Sequence, residues 1–185
     1  MRNSLVLAVG AVALLLSAPA GALEQKSTNK ADRQFLTEAG SANLMEIELG
    51  RRAATNASSD RVKEFAQRMV DDHTKANDDL KNVVGRLGVT LPATMSKTDR
   101  QKIDRLSKLR GADFDRAYML AMLKDHEADV QKFSRESEKA TDPDVKDFAS
   151  KTLPTLESHL QMAKDVSAGM AKATAGTRRH RGSTY

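Results

Sequence analysis

The chain has 185 residues and a formal net charge of +5, with no cysteine, no tryptophan and few other aromatic residues. That length suits one domain with a buried core and is short for two, and the missing cysteines exclude disulfides, thiolate metal sites and a thiol nucleophile. The charge is local: Lys172, Arg178, Arg179 and Arg181 crowd the C-terminal stretch with no acid among them, and without these and Arg2 the body is near neutrality. A basic groove for nucleic acid is therefore not expected; the tail offers at most a weak contact with an anionic membrane or envelope surface.

Residues 1–22 read as a cleaved secretory signal peptide. Arg2 supplies a positive start, Leu5 to Leu16 an apolar run, and Ala18-Pro19-Ala20 or Ala20-Gly21-Ala22 a small-residue cleavage site. The run is shorter than the roughly 20 residues of a spanning helix, so an exported, periplasmic or secreted protein is expected. An uncleaved anchor is the competing reading.

Residues 23–171 are expected to form one all-α domain, dominated by good helix formers. The first long helix should run from about Lys30 to Asn56, capped by Thr28 or Asn29, with an inward stripe of Phe35, Ala39, Ala42, Glu46, Leu49 and Ala53. Ser58-Ser59-Asp60 breaks it and starts a second helix to Leu87, ended by Gly88. The stripe of the second contains Met69, His73, Leu80 and Val83. Residues 88–111 form a long connection, with a short helix expected over Lys97–Leu109. A third long helix should span Ala112 to Ala140 with Met119, Met122, His126, Val130 and Phe133 inward. Asp142-Pro143 starts a fourth, expected to reach Met170 and to be kinked or interrupted at Pro154. Residues 172–185 are expected to be a disordered basic tail. Val62-Lys-Glu-Phe-Ala66 recurs as Val145-Lys-Asp-Phe-Ala149, so two similar helical hairpins should pair into an antiparallel four-helix bundle.

Met69-Val-Asp-Asp-His73 is echoed by Met122-Leu-Lys-Asp-His126. Both histidines, His159 and the carboxylate of Glu46 fall on apolar stripes. The long helices have expected midpoints near residues 43, 73, 126 and 157, so these four side chains should lie near one level, facing inward. One carboxylate and three imidazoles suit a transition metal such as zinc, copper or iron. Met69, Met122 and Met162 lie one turn from the three histidines, and thioethers beside imidazoles would suit reduced copper, although methionine is also an ordinary core filler. A metal-free polar network would satisfy the same residues. Asp72 and Asp125 precede their histidines and cannot face them on the same helix; they are read as solvated or as partners for neighbouring helices.

Phe35-Leu36, Glu46-Ile-Glu-Leu-Gly50, Phe65-Ala66, Asp72-His73, Leu91-Pro92, Phe114-Asp115 with Tyr118, His126, Leu153-Pro154 and His159-Leu160 together resemble a family of secreted bacterial ferritin-like proteins, catalogued as domain of unknown function 4142. The resemblance covers about residues 31–168. It implies a ferritin-like bundle in the cell envelope and no established activity. The Glu-x-x-His of di-iron bundles is missing, since Val70 and Leu156 stand three residues before His73 and His159; iron oxidation is not carried over. The expected function is metal binding at mid-bundle in metal handling or envelope stress protection. The alternative is a non-catalytic structural or interaction module with a metal-free polar core. A redox enzyme would need an open position on the metal.

Overall fold

The structure is a computed structural model that describes residues 28–181, with side chains described as far as Ala173. The segment read as a leader lies outside the described residues. Within them the chain is all helical: α1 Lys30–Asn56, α2 Asp60–Leu87, α3 Lys97–Leu106, α4 Gly111–Lys139 and α5 Pro143–Arg181.

The boundaries follow local chemistry. The Asn29 side chain accepts the Asp32 backbone N–H at 2.8 Å and caps α1. Gly88 ends α2 in the left-handed region at φ 61°, where a side chain would be strained. Ser96 caps α3 through the Asp99 N–H. Asp142 accepts the Asp144 N–H at 2.9 Å, and Pro143 opens α5 where no intrahelical donor is needed.

Two expectations, on where helices end, are corrected. The connecting helix stops at Leu106, short of Leu109. α5 continues through Pro154, which lies on the exposed side and, having no N–H, leaves one bond of the helical ladder unmade. The same helix continues to Arg181, well beyond Met170, so most of the stretch expected to be a disordered tail is helical backbone.

The hairpins α1–α2 and α4–α5 are antiparallel. Asn43 meets His73 and, in the other hairpin, His126 meets His159. Phe65 packs on Tyr118 and His73 on His126, so α2 and α4 run parallel. The connection 88–110 must therefore travel the length of the bundle. α3 lies along this route and is tied to both hairpins, to α1 by Ser41 Oγ donating to Asp99 at 2.5 Å and to α4 by Lys102 Nζ on Asp125 at 2.6 Å.

Two buried carboxylates clasp the hairpins together. Asp115, near the start of α4, accepts the backbone N–H groups of Ser58 and Ser59 and the Ser58 hydroxyl, at 2.6–3.1 Å. Asp32, in the first turn of α1, accepts the backbone N–H groups of Thr141 and Asp142 at 3.3 and 2.9 Å. Each turn is thus held by the opposite hairpin. Asp32 and Asp115, Phe35 and Tyr118, Ser59 and Asp142, Val62 and Val145, and Phe65 and Phe148 are pairs with one common sequence separation. The echo seen in Val62–Ala66 extends to the whole frame.

The core has two parts. One holds Met45, Leu49, Ala53, Phe65, Met69, Phe114, Tyr118, Met119 and Met122. The other holds Phe35, Leu36, Leu80, Val83, Phe133, Val145, Phe148 and Leu156, where Phe35, Phe133 and Phe148 pack ring against ring at 4.9–6.2 Å. The histidines lie between them along the bundle.

Candidate metal centre

His73, His126 and His159 are buried, with ring centroids 5.3–5.7 Å apart. One ring nitrogen from each lies within 4.8 Å of the other two. They arrive from α2, α4 and α5 because the levels of the three helix midpoints coincide, as the spacing predicts.

Each imidazole has an oxygen partner on one nitrogen. His73 Nδ1 lies 2.9 Å from the buried Asn43 amide oxygen, His126 Nδ1 lies 2.9 Å from the Met122 carbonyl, and His159 Nε2 lies 2.8 Å from the Asp72 carboxylate. A carbonyl or carboxylate oxygen only accepts, and with the Asn43 amide oriented as placed these three nitrogens carry the protons. The nitrogens left over hold lone pairs: His73 Nε2, His126 Nε2 and His159 Nδ1. His126 Nε2 and His159 Nδ1 stand 3.3 Å apart, and His73 Nε2 is buried with no hydrogen-bond partner.

Burial also holds the rings neutral. It pushes His73 well below the usual imidazole range, helped by the two neighbouring rings. It brings His126 down to about 4 and lowers His159, where the Asp72 hydrogen bond works against it. Burial works to raise the Asp72 carboxyl, but bonds from His159 and Arg68 outweigh it and hold the group below its usual range. Asp72 therefore serves the histidine of a neighbouring helix, as expected of it, and Asp125 likewise pairs with α3. Asp72 also lines a groove of about 410 Å³ between α2 and α5, which brings solvent to the edge of the cluster.

Glu46 is outside this group. Its carboxylate is fully buried and neither oxygen has a hydrogen-bond partner. Burial, with Asp125 and Asp129 nearby, drives its pKa well above the carboxylate range. Tyr118, also buried and unpartnered at its hydroxyl, is pushed up by burial and by Glu46. The reason is helix register: antiparallel packing levels Asn43 with His73, so Glu46, three residues on, lies almost a turn further toward the methionine-bearing part of the core. Asn43 is the residue that the sequence reading passed over. Its signal was available, because the midpoint of α1 falls on residue 43.

The donor set fits a transition metal. Two nitrogens on one tetrahedral ion, with bonds of about 2.0–2.1 Å, are separated by roughly 3.3–3.4 Å, and His126 and His159 already stand at 3.3 Å. Three neutral imidazoles, each fixed through its other nitrogen by an oxygen acceptor, are the usual dress of metal-bound histidine. Among the described residues no fourth ligand from Asp or Glu joins the group, which leaves one position for another donor. Among the described residues no helix is long and apolar enough to cross a membrane.

No curated protein matches this chain. Among solved structures, the crystal structure of a DUF305 fragment from Deinococcus radiodurans is similar at a TM-score of 0.67, over 76% of this chain and 97% of that one. At 14% identity the likeness is one of fold. The model of the family described as "Domain of unknown function (DUF4142)" matches residues 17–166, most of the chain, and the chain belongs to that family.

Proposed function

We propose that the protein is an exported, ferritin-like helical bundle that binds one transition metal ion through His73 Nε2, His126 Nε2 and His159 Nδ1, and that it acts in metal handling or stress protection at the cell envelope. The observation that carries this reading is the cluster itself: one ring nitrogen from each of three buried histidines lies within 4.8 Å of the other two, and the oxygen acceptors on the opposite nitrogens assign lone pairs to His126 Nε2, His159 Nδ1 and the unpartnered His73 Nε2. Lone pairs 3.3 Å apart repel, and an unpartnered buried nitrogen costs about 1–3 kcal/mol. A cation at their centre removes both penalties. A trapped proton would do part of the same work, but burial and the neighbouring rings lower the basicity that would hold one. The export half of the reading is supported by the leader-like segment 1–22 and not by the bundle.

His126→Leu separates metal binding from folding. The Met122 carbonyl loses only its extra partner, and removing Nε2 takes away one of the facing lone pairs. Elemental analysis of the untagged protein should find near-stoichiometric metal in the wild type and none in His126→Leu, with the same helical circular dichroism. A wild type that stays metal-free when offered zinc, cuprous copper, ferrous iron and manganese would leave the polar core as a structural device and send the search to protein partners.

A further inference from the structure

Of the eight methionines in the chain, all but Met1 belong to the core cluster on one side of the histidines or pack against it. Met45, Met69, Met119 and Met122 are buried within it, and Met95, Met162 and Met170 lie at its margin. The cluster on the other side is built from Phe, Leu, Val and Ala and contains no methionine. A residue used only to fill gaps has no reason to respect that boundary. The boundary is the histidine layer itself.

Resting on the three-histidine site proposed above, we propose that the ion the centre is built for is cuprous copper, with the thioether of Met69 or Met122 as its fourth donor. Met69 and Met122 sit four residues before His73 and His126, on the same helix faces, and both are fully buried. At that spacing a sulfur is the neighbour of the imidazole one turn along. A soft monovalent ion prefers imidazole and thioether; among the described residues no carboxylate, which harder ions prefer, joins the three histidines. The charge balance points the same way. The three ligands are neutral, and the one carboxylate hydrogen-bonded to them, Asp72, is shared with the guanidinium of Arg68. The cost of burying an ion grows with the square of its charge, so a divalent ion without a paired anion is penalised about four times as heavily as a monovalent one of the same size. No electron transfer is involved: the ion enters and leaves as the reduced form.

The test is anaerobic competition of the purified protein with a chromophoric cuprous chelator, beside parallel titrations with zinc and cobalt. Met69→Leu/Met122→Leu keeps the core volume close to that of the wild type and removes only sulfur. Cuprous ion should bind the wild type at least about a thousandfold more tightly than zinc. The double variant should lose at least about tenfold in cuprous affinity while its zinc affinity is unchanged. X-ray absorption of the copper-loaded wild type should show one sulfur beside three nitrogens, and the double variant nitrogen alone. Zinc binding as tightly as cuprous ion, or a double variant with wild-type cuprous affinity, overturns this inference and leaves the three-histidine site standing. Binding of neither ion to the wild type overturns the site itself.

Discussion

The two hairpins share a frame and differ in what they carry. Asp32 and Asp115 perform the same clasp from equivalent positions, and Val62 and Val145, Phe65 and Phe148, and Ala66 and Ala149 occupy equivalent buried places. At the waist the correspondence stops. The α4–α5 counterpart of His73 is Leu156, the α1–α2 counterpart of His126 is Asn43, and His159 answers to Ala76. Glu46 and Asp129 are counterparts too, and burial raises both, Asp129 to about 6. What is repeated holds the bundle together; what is not repeated makes the centre. The asymmetry lets one hairpin supply two imidazoles and the other supply one imidazole with the amide that orients it.

The frame can be broken on either side, and the two sides should differ. Asp115→Ala strips partners from two backbone N–H groups and a hydroxyl, against two backbone N–H groups for Asp32→Ala. At about 1 kcal/mol for each part-buried hydrogen bond lost, urea unfolding should show a loss of about 3 kcal/mol for Asp115→Ala and about 2 kcal/mol for Asp32→Ala. Losses under 1 kcal/mol for both would show that the clasp is ornamental.

Protonation is a way to break the centre. In the metal-free protein His126 titrates near 4, against 6.5 for the free side chain, so the unfolded chain takes up the proton first. The stability linked to this group is complete above pH 6.5 and falls as the pH drops toward 4, by about 3 kcal/mol in all. His126→Leu should remove that share of the pH dependence; chemical unfolding at a series of pH values reads it directly. An identical slope in the variant would mean that His126 takes up its proton in the fold as readily as in the unfolded chain.

A smaller effect sharpens the comparison between hairpins. A Cβ on Gly50 would meet Val70 Cγ2 at 2.7 Å and the Ala66 carbonyl at 2.8 Å, so α1 and α2 approach closely at the position where α4 carries the counterpart Phe133. Gly50→Ala should cost about 2 kcal/mol by forcing the helices apart, within the range for overpacked contacts. Thermal unfolding would show it, and a neutral result would mean that the contact relaxes without strain.

Much of this was legible in the sequence because it depends on short-range signals. The caps at Asn29 and Asp142, the stop at Gly88 and the apolar stripes fixed the long helices nearly to the residue, and midpoint arithmetic placed the three histidines at one level. Glu46 and Asn43 were exchanged because both lie on the inward side of α1, and only the register between helices decides which one reaches His73. The end of α5 was misjudged because small and basic residues looked like a tail, although nothing in 172–181 forbids helix. The clasp was invisible for another reason: Asp32 and Asp115 read as ordinary acids near the start of a helix, and their partners are far away in sequence.

That clasp has a consequence for copies of the chain. The bonds from Asp32 to the α4–α5 turn and from Asp115 to the α1–α2 turn do not depend on which connection joins the hairpins. A connection 88–110 too short to run the length of the bundle would leave every clasp available to a second molecule. Two chains would then exchange hairpins and rebuild the same bundle twice, each centre taking His73 from one copy and His126 with His159 from the other. Deleting α3 should therefore yield a dimer by light scattering with metal-binding capacity per chain intact, whereas a folded monomer would show that the remaining residues still span the distance.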